Sequence, residues 1–263
     1  MTDAEIEIVE HFKQSFLEVE SEVHFDKDLD QVEPFFGGFV STSTYEDGLA
    51  TRNFRDYLEN YNFNFSYNRA ITDLNDGNDP HIRWRARIFE FFLKSSLPGK
   101  CLELGTARGF MFYFGLTKLQ LDKIDLVGSE IYLVDKYDQY SVDFESGEIS
   151  QSLNERYVEN EIVVRSLFAP WPQVKVIKGL VPYVLQEFDL TGFRFVHVDL
   201  NAMMPEIEAL RLLIPKLSKG ATILLDDFGF PEFIPSRLGH TQLADELRYD
   251  ILSLPTGQGL III

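Results

Sequence analysis

This chain has a single cysteine, Cys101, in 263 residues, so an intrachain disulfide is excluded. Cys101 opens an apolar strand pattern, which marks it as a buried thiol rather than a nucleophile. Basic residues are scarce: 24 Lys and Arg face 42 Asp and Glu, for a formal net charge of −18. That balance argues against phosphate-backbone binding, which needs clustered cations, and no nucleic-acid partner is expected. No stretch reaches the roughly eighteen consecutive apolar residues of a membrane span, so no membrane partner is expected either. The start, Met1-Thr2-Asp3-Ala4-Glu5, lacks a signal peptide's basic region and apolar core, leaving the cytoplasm as the default compartment. What is present suffices for a core: 45% hydrophobic and 14% aromatic residues, in a chain long enough for one large domain or for a core domain plus an extension.

Two regions follow from patterning. Residues 4 to 22 carry Ile6, Val9, Phe12, Phe16 and Val19 near a helical period. Residues 24 to 80 have no clear period and are rich in Asp, Asn and aromatics, as in Asn60-Tyr61-Asn62-Phe63-Asn64-Phe65-Ser66-Tyr67-Asn68. They read as a loop-rich cap, a lid or a contact in a homo-oligomer. The turn cluster Asn75-Asp76-Gly77-Asn78-Asp79-Pro80 divides an N-terminal extension, residues 1–80, from a domain over 81–263. A helix over residues 81 to 95 opens the domain, with its arginines (Arg83, Arg85, Arg87) expected on the exposed side.

From residue 100 the pattern alternates. Strands are expected over 101–104, 130–135, 174–179, 193–199 and 221–227, with two more near the end of the chain. Helices are expected over 107–120, 151–167, 204–217 and 240–249, and a polar segment over 136–150. Continuous apolar strands alternating with helices specify an α/β fold, a Rossmann-like doubly wound sheet of seven mostly parallel strands behind an N-terminal helical and loop-rich cap.

Ligands of such sheets sit beyond the carboxyl ends of the strands. Gly105, Asp135, Gly179, Asp199 and the Asp226-Asp227 pair fall there. Each could alone be a cap or a turn residue; their coincidence across strands points to a site. In Leu102-Glu103-Leu104-Gly105-Thr106-Ala107-Arg108-Gly109, an acid and two glycines span a strand-to-helix turn where a ligand can approach the backbone. Asp135 is either a cap or an acceptor for ribose hydroxyls. Asp199, Asp226 and Asp227 end strands that should be neighbours, and three carboxylates meeting there repel unless a hard divalent cation such as Mg²⁺ or Mn²⁺ joins them. His197 lies one pleat deeper than Asp199 and reads as a core histidine. His240 reads as a helix cap or a base facing substrate.

These residues resemble class I S-adenosylmethionine-dependent methyltransferases: Glu103-x-Gly105-x-x-x-Gly109 after a strand, Asp135 ending the next, Asp226-Asp227 ending the fifth. More narrowly, Phe195 to Asn201, Leu217 to Gly229 and Gly239 to Leu247 resemble the macrocin-O-methyltransferase (TylF-type) family, metal-dependent enzymes that methylate sugar hydroxyls in bacterial natural products. The resemblance covers residues 95 to 263. It implies S-adenosylmethionine held by Glu103, Gly105, Thr106 and Gly109, its ribose on Asp135 and its adenine near Lys178 and Gly179. It also implies a metal, Mg²⁺ or another hard divalent cation, on Asp199, Asp226 and Asp227. A small-molecule hydroxyl would accept the methyl group, with Asp199 or His240 taking its proton. Two features depart from the family. Asp199-Leu200-Asn201-Ala202-Met203 stands where it usually has Asp-x-Asp-x-Tyr, which bears on metal affinity and sugar recognition. Phe110-Met111 replaces small residues after the glycine turn. A dinucleotide-dependent oxidoreductase, a non-catalytic binding protein, and a transferase acting on a catechol-like or lipid hydroxyl are the competing expectations.

Overall fold

The computed structural model of the protein describes residues 45–46, 49–50, 55–74, 77, 79–137, 140–142, 149–151, 160–230 and 233–263. The helix expected over residues 4 to 22 lies outside them. Two short strands, β1 (Tyr45–Glu46) and β2 (Leu49–Ala50), pair antiparallel.

The segment expected to be aperiodic contains a 14-residue helix, α1 (Tyr61–Leu74). Its alternating aromatic and Asn residues mask the helical stripe Phe63, Tyr67, Ala70, Ile71 and Leu74, all buried. Asn60 caps it by accepting from the Phe63 amide at 2.9 Å. That stripe shares one core with the helices α2 (Arg83–Ser95) and α3 (Phe110–Leu121) beyond the 75–80 turn. Phe63 meets Phe114 edge-on at 4.9 Å, and the Tyr113 hydroxyl donates to Asp73 at 2.6 Å.

The central sheet has seven strands: β3 (Lys100–Leu104), β4 (Glu130–Asp135), β7 (Val174–Lys178), β8 (Phe193–Val198), β9 (Thr222–Leu225), β10 (Leu252–Ser253) and β11 (Gly259–Ile262). Their order is β10-β11-β9-β8-β3-β4-β7, and only β11 runs against its neighbours. The expected sheet is therefore present, with β8 and β9 adjacent. The chain winds outward from β3 in one direction and then, from β8, in the other, so the switch in direction lies between β3 and β8. Helices α4 (Glu161–Phe168), α5 (Met203–Leu213) and α6 (Ile234–Leu247) complete the cover.

Several boundaries differ from expectation for local reasons. Helix α3 starts at Phe110, because the glycine turn occupies residues 105–109 and Gly109 caps the helix with φ +81°. The polar segment holds a small antiparallel pair, β5 (Tyr140–Val142) and β6 (Ile149–Gln151), and α4 begins only after Asn160, whose side chain accepts from the Ile162 amide. Helix α6 begins at Ile234, with Pro235 in its first turn, and not near residue 240. Among the described residues, no helix is long and apolar enough to cross a membrane.

Candidate active site

Strand periodicity builds the site from below. On one face of the sheet Cys101 is followed by Glu103, Phe195 by His197, and Leu224 by Asp226. The other face carries Leu102, Leu104, Val196, Val198, Ile223 and Leu225 in a second core. Parallel register sets Glu103 beside His197 and His197 beside Leu224. Helix α2 covers this face. Its Phe89 meets the His197 ring edge-on at 5.1 Å, and Arg85, one turn earlier, reaches the strand ends. Cys101 is buried and free, and burial pushes its thiol up to about 12, consistent with an inert core thiol.

A line of alternating charges results. His197 Nδ1 lies 3.0 Å from Glu103 Oε1, and its Nε2 lies 3.4 Å from Asp226 Oδ1. Arg85 Nη1 lies 2.6 Å from Asp226 Oδ2 and 3.6 Å from Asp227 Oδ1. Gln258, from the turn before β11, donates to Asp226 Oδ1 at 3.1 Å and is itself held by Thr256. Burial opposes charge on His197, but its hydrogen bonds to Asp226 and Glu103 prevail and raise it to about 10, so it is an imidazolium at neutral pH. Burial would likewise raise Asp226, yet Arg85 and His197 hold it below the usual carboxylate range. His197 is thus a core histidine, as expected, with charged partners that its own sequence surroundings do not disclose.

Asp199, Asp226 and Asp227 converge as expected, with one oxygen from each within 4.8 Å of the others. Asp226 is buried, while Asp199 and Asp227 are partly exposed at the edge of the site. Burial and the charges of Asp226 and Asp227 hold Asp199 well above the usual range. Burial and Asp226 push Asp227 up to about 7. Asn201, with φ +55° in a conformation Asn tolerates, donates to Asp199 Oδ1 at 2.9 Å. A neutral amide, and not a further carboxylate, thus orients Asp199.

The glycine turn lies alongside. Gly105 has φ +87°, and a Cβ there would lie 1.8 Å from the Asp199 carbonyl oxygen, so only glycine lets the two strand ends close. The amides of Gly105 and Asp199 donate to Val134 and Leu104, stitching the three strand ends together. Asp135 Oδ2 accepts from the Ala107 amide at 2.7 Å and Oδ1 from the Tyr137 amide at 3.3 Å. Burial raises the Asp135 carboxyl and these backbone hydrogen bonds oppose it. Lys178 pairs with Asp135 across β4 and β7, and the Gly179 amide donates to the Asp135 carbonyl at 2.9 Å. Glu103 Oε2 and the Tyr137 hydroxyl are both buried without a well-formed hydrogen bond, each only in weak contact with Thr106. Two orphaned polar atoms at the glycine turn are what a pocket for a polar ligand requires. Phe110 turns away from this turn and packs edge-on to Tyr67 of α1 at 5.4 Å.

Two expectations need correction. His240 is not a helix cap: it lies in the middle of α6, buried, with Nε2 3.2 Å from Glu206 Oε2. Glu206 in turn accepts from the Leu200 amide and adds to the negative field on Asp227, so His240 meets the acidic cluster through a second residue. The arginines of α2 are not a solvated face. Arg83 pairs with Asp79, Arg87 with Asp56 and Glu90, and Arg85 with the cluster itself. Arg85 and Glu206 are the residues the sequence left unassigned. The signal available for Arg85 was the need of three converging carboxylates for positive charge.

Residues 102–228 match the family described as methyltransferase domain. No curated protein sequence matches the chain. Among solved structures it is similar to the O-methyltransferase NovP, at 14% identity over 71% of this chain and 83% of that one, with a TM-score of 0.54. It is similar also to the calicheamicin methyltransferase CalS11, at 14% identity over 81% and 98% of the two chains, with a TM-score of 0.54. A third is the methyltransferase PaMTH1 of Podospora anserina bound to SAH, at 16% identity over 77% and 87%, with a TM-score of 0.51. The fold and the matched segment define a methyltransferase domain over residues 102–228. The fold is that of Rossmann-like methyltransferases, and residues 102–228 carry the methyltransferase-domain match.

Proposed function

We propose that this chain is an S-adenosylmethionine-dependent O-methyltransferase, assisted by Mg²⁺ or another hard divalent cation. It acts on a hydroxyl of a sugar or small natural product, as the macrocin-O-methyltransferase (TylF-type) family does. The observation that carries this reading is the meeting of Asp199, Asp226 and Asp227 beside the glycine turn, at the switch point of the sheet. The fold neighbour CalS11 is a TDP-rhamnose 3′-O-methyltransferase, which supports a sugar-like acceptor.

The cofactor's methionyl end fits the turn formed by Glu103, Gly105, Thr106 and Gly109, where the unpartnered Glu103 Oε2 suits an ammonium group. Asp135, at the lip of the same turn, would take the ribose, and Lys178 and Gly179 would flank the adenine. The cation also fits. Glu103, Asp199, Asp226 and Asp227 outnumber His197 and Arg85, and the raised carboxyls of Asp199 and Asp227 express the excess negative charge. A hard divalent cation supplies Lewis acidity toward an acceptor oxygen. Asp199, partly exposed and held above the usual range, is placed to take the hydroxyl proton, with Asn201 fixing its orientation. The Glu206–His240 pair lies behind Asp227 as a second destination for that proton. The rest of the rate comes from holding oxygen, methyl carbon and sulfur in line. A member that binds the cofactor without turnover is the second reading, favoured by the commitment of both Asp226 oxygens to protein partners.

Calorimetric titration with S-adenosylmethionine and SAH, first with Mg²⁺ and then with EDTA, is the direct test. Both ligands are expected to bind in either condition. Turnover of a hydroxyl acceptor is expected to collapse with EDTA and return with Mg²⁺. Absence of binding in both conditions would overturn the methyltransferase reading. An Asp199→Asn variant with unchanged turnover and metal dependence would overturn the metal assignment alone.

A further inference from the structure

The guanidinium of Arg85 stands among the carboxylates assigned above to a metal. The side chain is 12% exposed, and its Nη1 contacts Asp226 Oδ2 at 2.6 Å and approaches Asp227 Oδ1 at 3.6 Å. The Phe230 ring lies 4.3 Å from the guanidinium carbon, so the cation is held from one side by an aromatic face and from the other by acid. The second oxygen of Asp226 is already shared by His197 and Gln258. A divalent ion that uses Asp226 therefore shares or takes over an oxygen already held by Arg85 or by His197 and Gln258, and at Asp227 it meets the Arg85 charge 3.6 Å from Oδ1.

We propose that Arg85 is a tethered counter-ion that competes with the divalent cation for Asp226 and Asp227, and so sets the affinity of the site for its metal. The inference rests on the metal-assisted reading above. Its physical basis is the contact itself: a guanidinium charge stands 2.6 Å from Asp226 Oδ2 and 3.6 Å from Asp227 Oδ1. Neutralising Arg85 removes that charge and frees an Asp226 oxygen at once. Both changes strengthen attraction for a dication in a site shielded from solvent. With Arg85 present, the ion is held loosely and the protein keeps its acids compensated when the ion leaves. Phe230 retains the displaced guanidinium nearby, so the exchange is reversible.

The test is binding of Mn²⁺ alone to the full chain, read from the spin-resonance signal of free Mn²⁺, for the wild type and for Arg85→Gln, Arg85→Lys and Asp227→Asn. Arg85→Gln is expected to bind at least about tenfold more tightly than the wild type, and its melting temperature to rise more with Mn²⁺. Arg85→Lys keeps the charge on a shorter, single-point donor and is expected to bind about threefold more tightly. That variant carries the test if the Gln variant does not fold. Asp227→Asn is expected to lose binding. Equal or weaker binding by the Arg85 variants, with the wild type binding and Asp227→Asn not, would overturn the counter-ion role and leave the metal reading intact. Failure of every protein to bind Mn²⁺ would overturn both.

Discussion

His197→Leu is expected to lower stability by about 3–5 kcal/mol, a fall in melting temperature on the order of 10 °C for a domain of this size. Leucine fills much of the volume beneath Phe89 but abandons Glu103 and Asp226. Both are buried, and Glu103 already has one oxygen without a partner. The loss comes from leaving Glu103 without its counter-ion and Asp226 with Arg85 and Gln258 alone, more than from lost packing. A pH series separates these causes. The unfolded chain releases the histidine proton near the ordinary value of 6.5, while the folded protein keeps it to about 10. The stabilisation is complete below pH 6.5 and is lost progressively as pH rises through 10. The gap in melting temperature between wild type and His197→Gln should therefore narrow steadily across that window. A gap that stays constant with pH would show that His197 is neutral in the fold and would overturn the charged assignment.

Gly105→Ala is expected to cost roughly 2–4 kcal/mol and to abolish measurable SAH binding. The added carbon would lie 1.8 Å from the Asp199 carbonyl oxygen and 2.5 Å from its carbon, both main-chain atoms fixed by the sheet. Relief requires the turn after β3 to separate from the end of β8, which displaces the glycine turn and Asp199 together. Gly220→Ala is the matched control. It has nearly the same φ, +85°, but nothing within 4 Å of its Cβ position. It should cost only the intrinsic left-handed penalty, about 1–2 kcal/mol, and leave SAH affinity unchanged. Equal destabilisation by the two substitutions would mean that φ alone, and not closure of the strand ends, makes Gly105 necessary.

These two residues differ in how far sequence could reveal them. Gly105 announces itself, because an acid and two glycines after a short apolar run have few other uses. The sheet was legible for a similar reason: buried parallel strands are continuous apolar runs, and four of those read from residue 100 to 227 end in Gly or Asp. Helix α1 was hidden because its buried aromatics at 63 and 67 are interleaved with Asn62, Asn64 and exposed Phe65, which imitates a strand's alternation. Only packing on α3 selects the helical stripe. The charged line was illegible for a different reason. His197 takes its partners from 94 residues earlier and 29 later, and Arg85 reaches across 141 residues to Asp226. No local pattern encodes such pairs. His240 could be placed on a helix but not along it, because the helix start depends on Pro235 and the chain before it.

Strand β11 enters between β9 and β10, and Gln258 just before it secures Asp226. During synthesis, β3, β8 and β9 emerge long before residues 256–262, so a nascent chain can pair its parallel strands while β9 still exposes one edge and Asp226 lacks its amide donor. Assembly of the acidic cluster therefore waits on the segment that follows β10. The interval in which β9 is unsealed is when the chain is most open to intermolecular strand pairing.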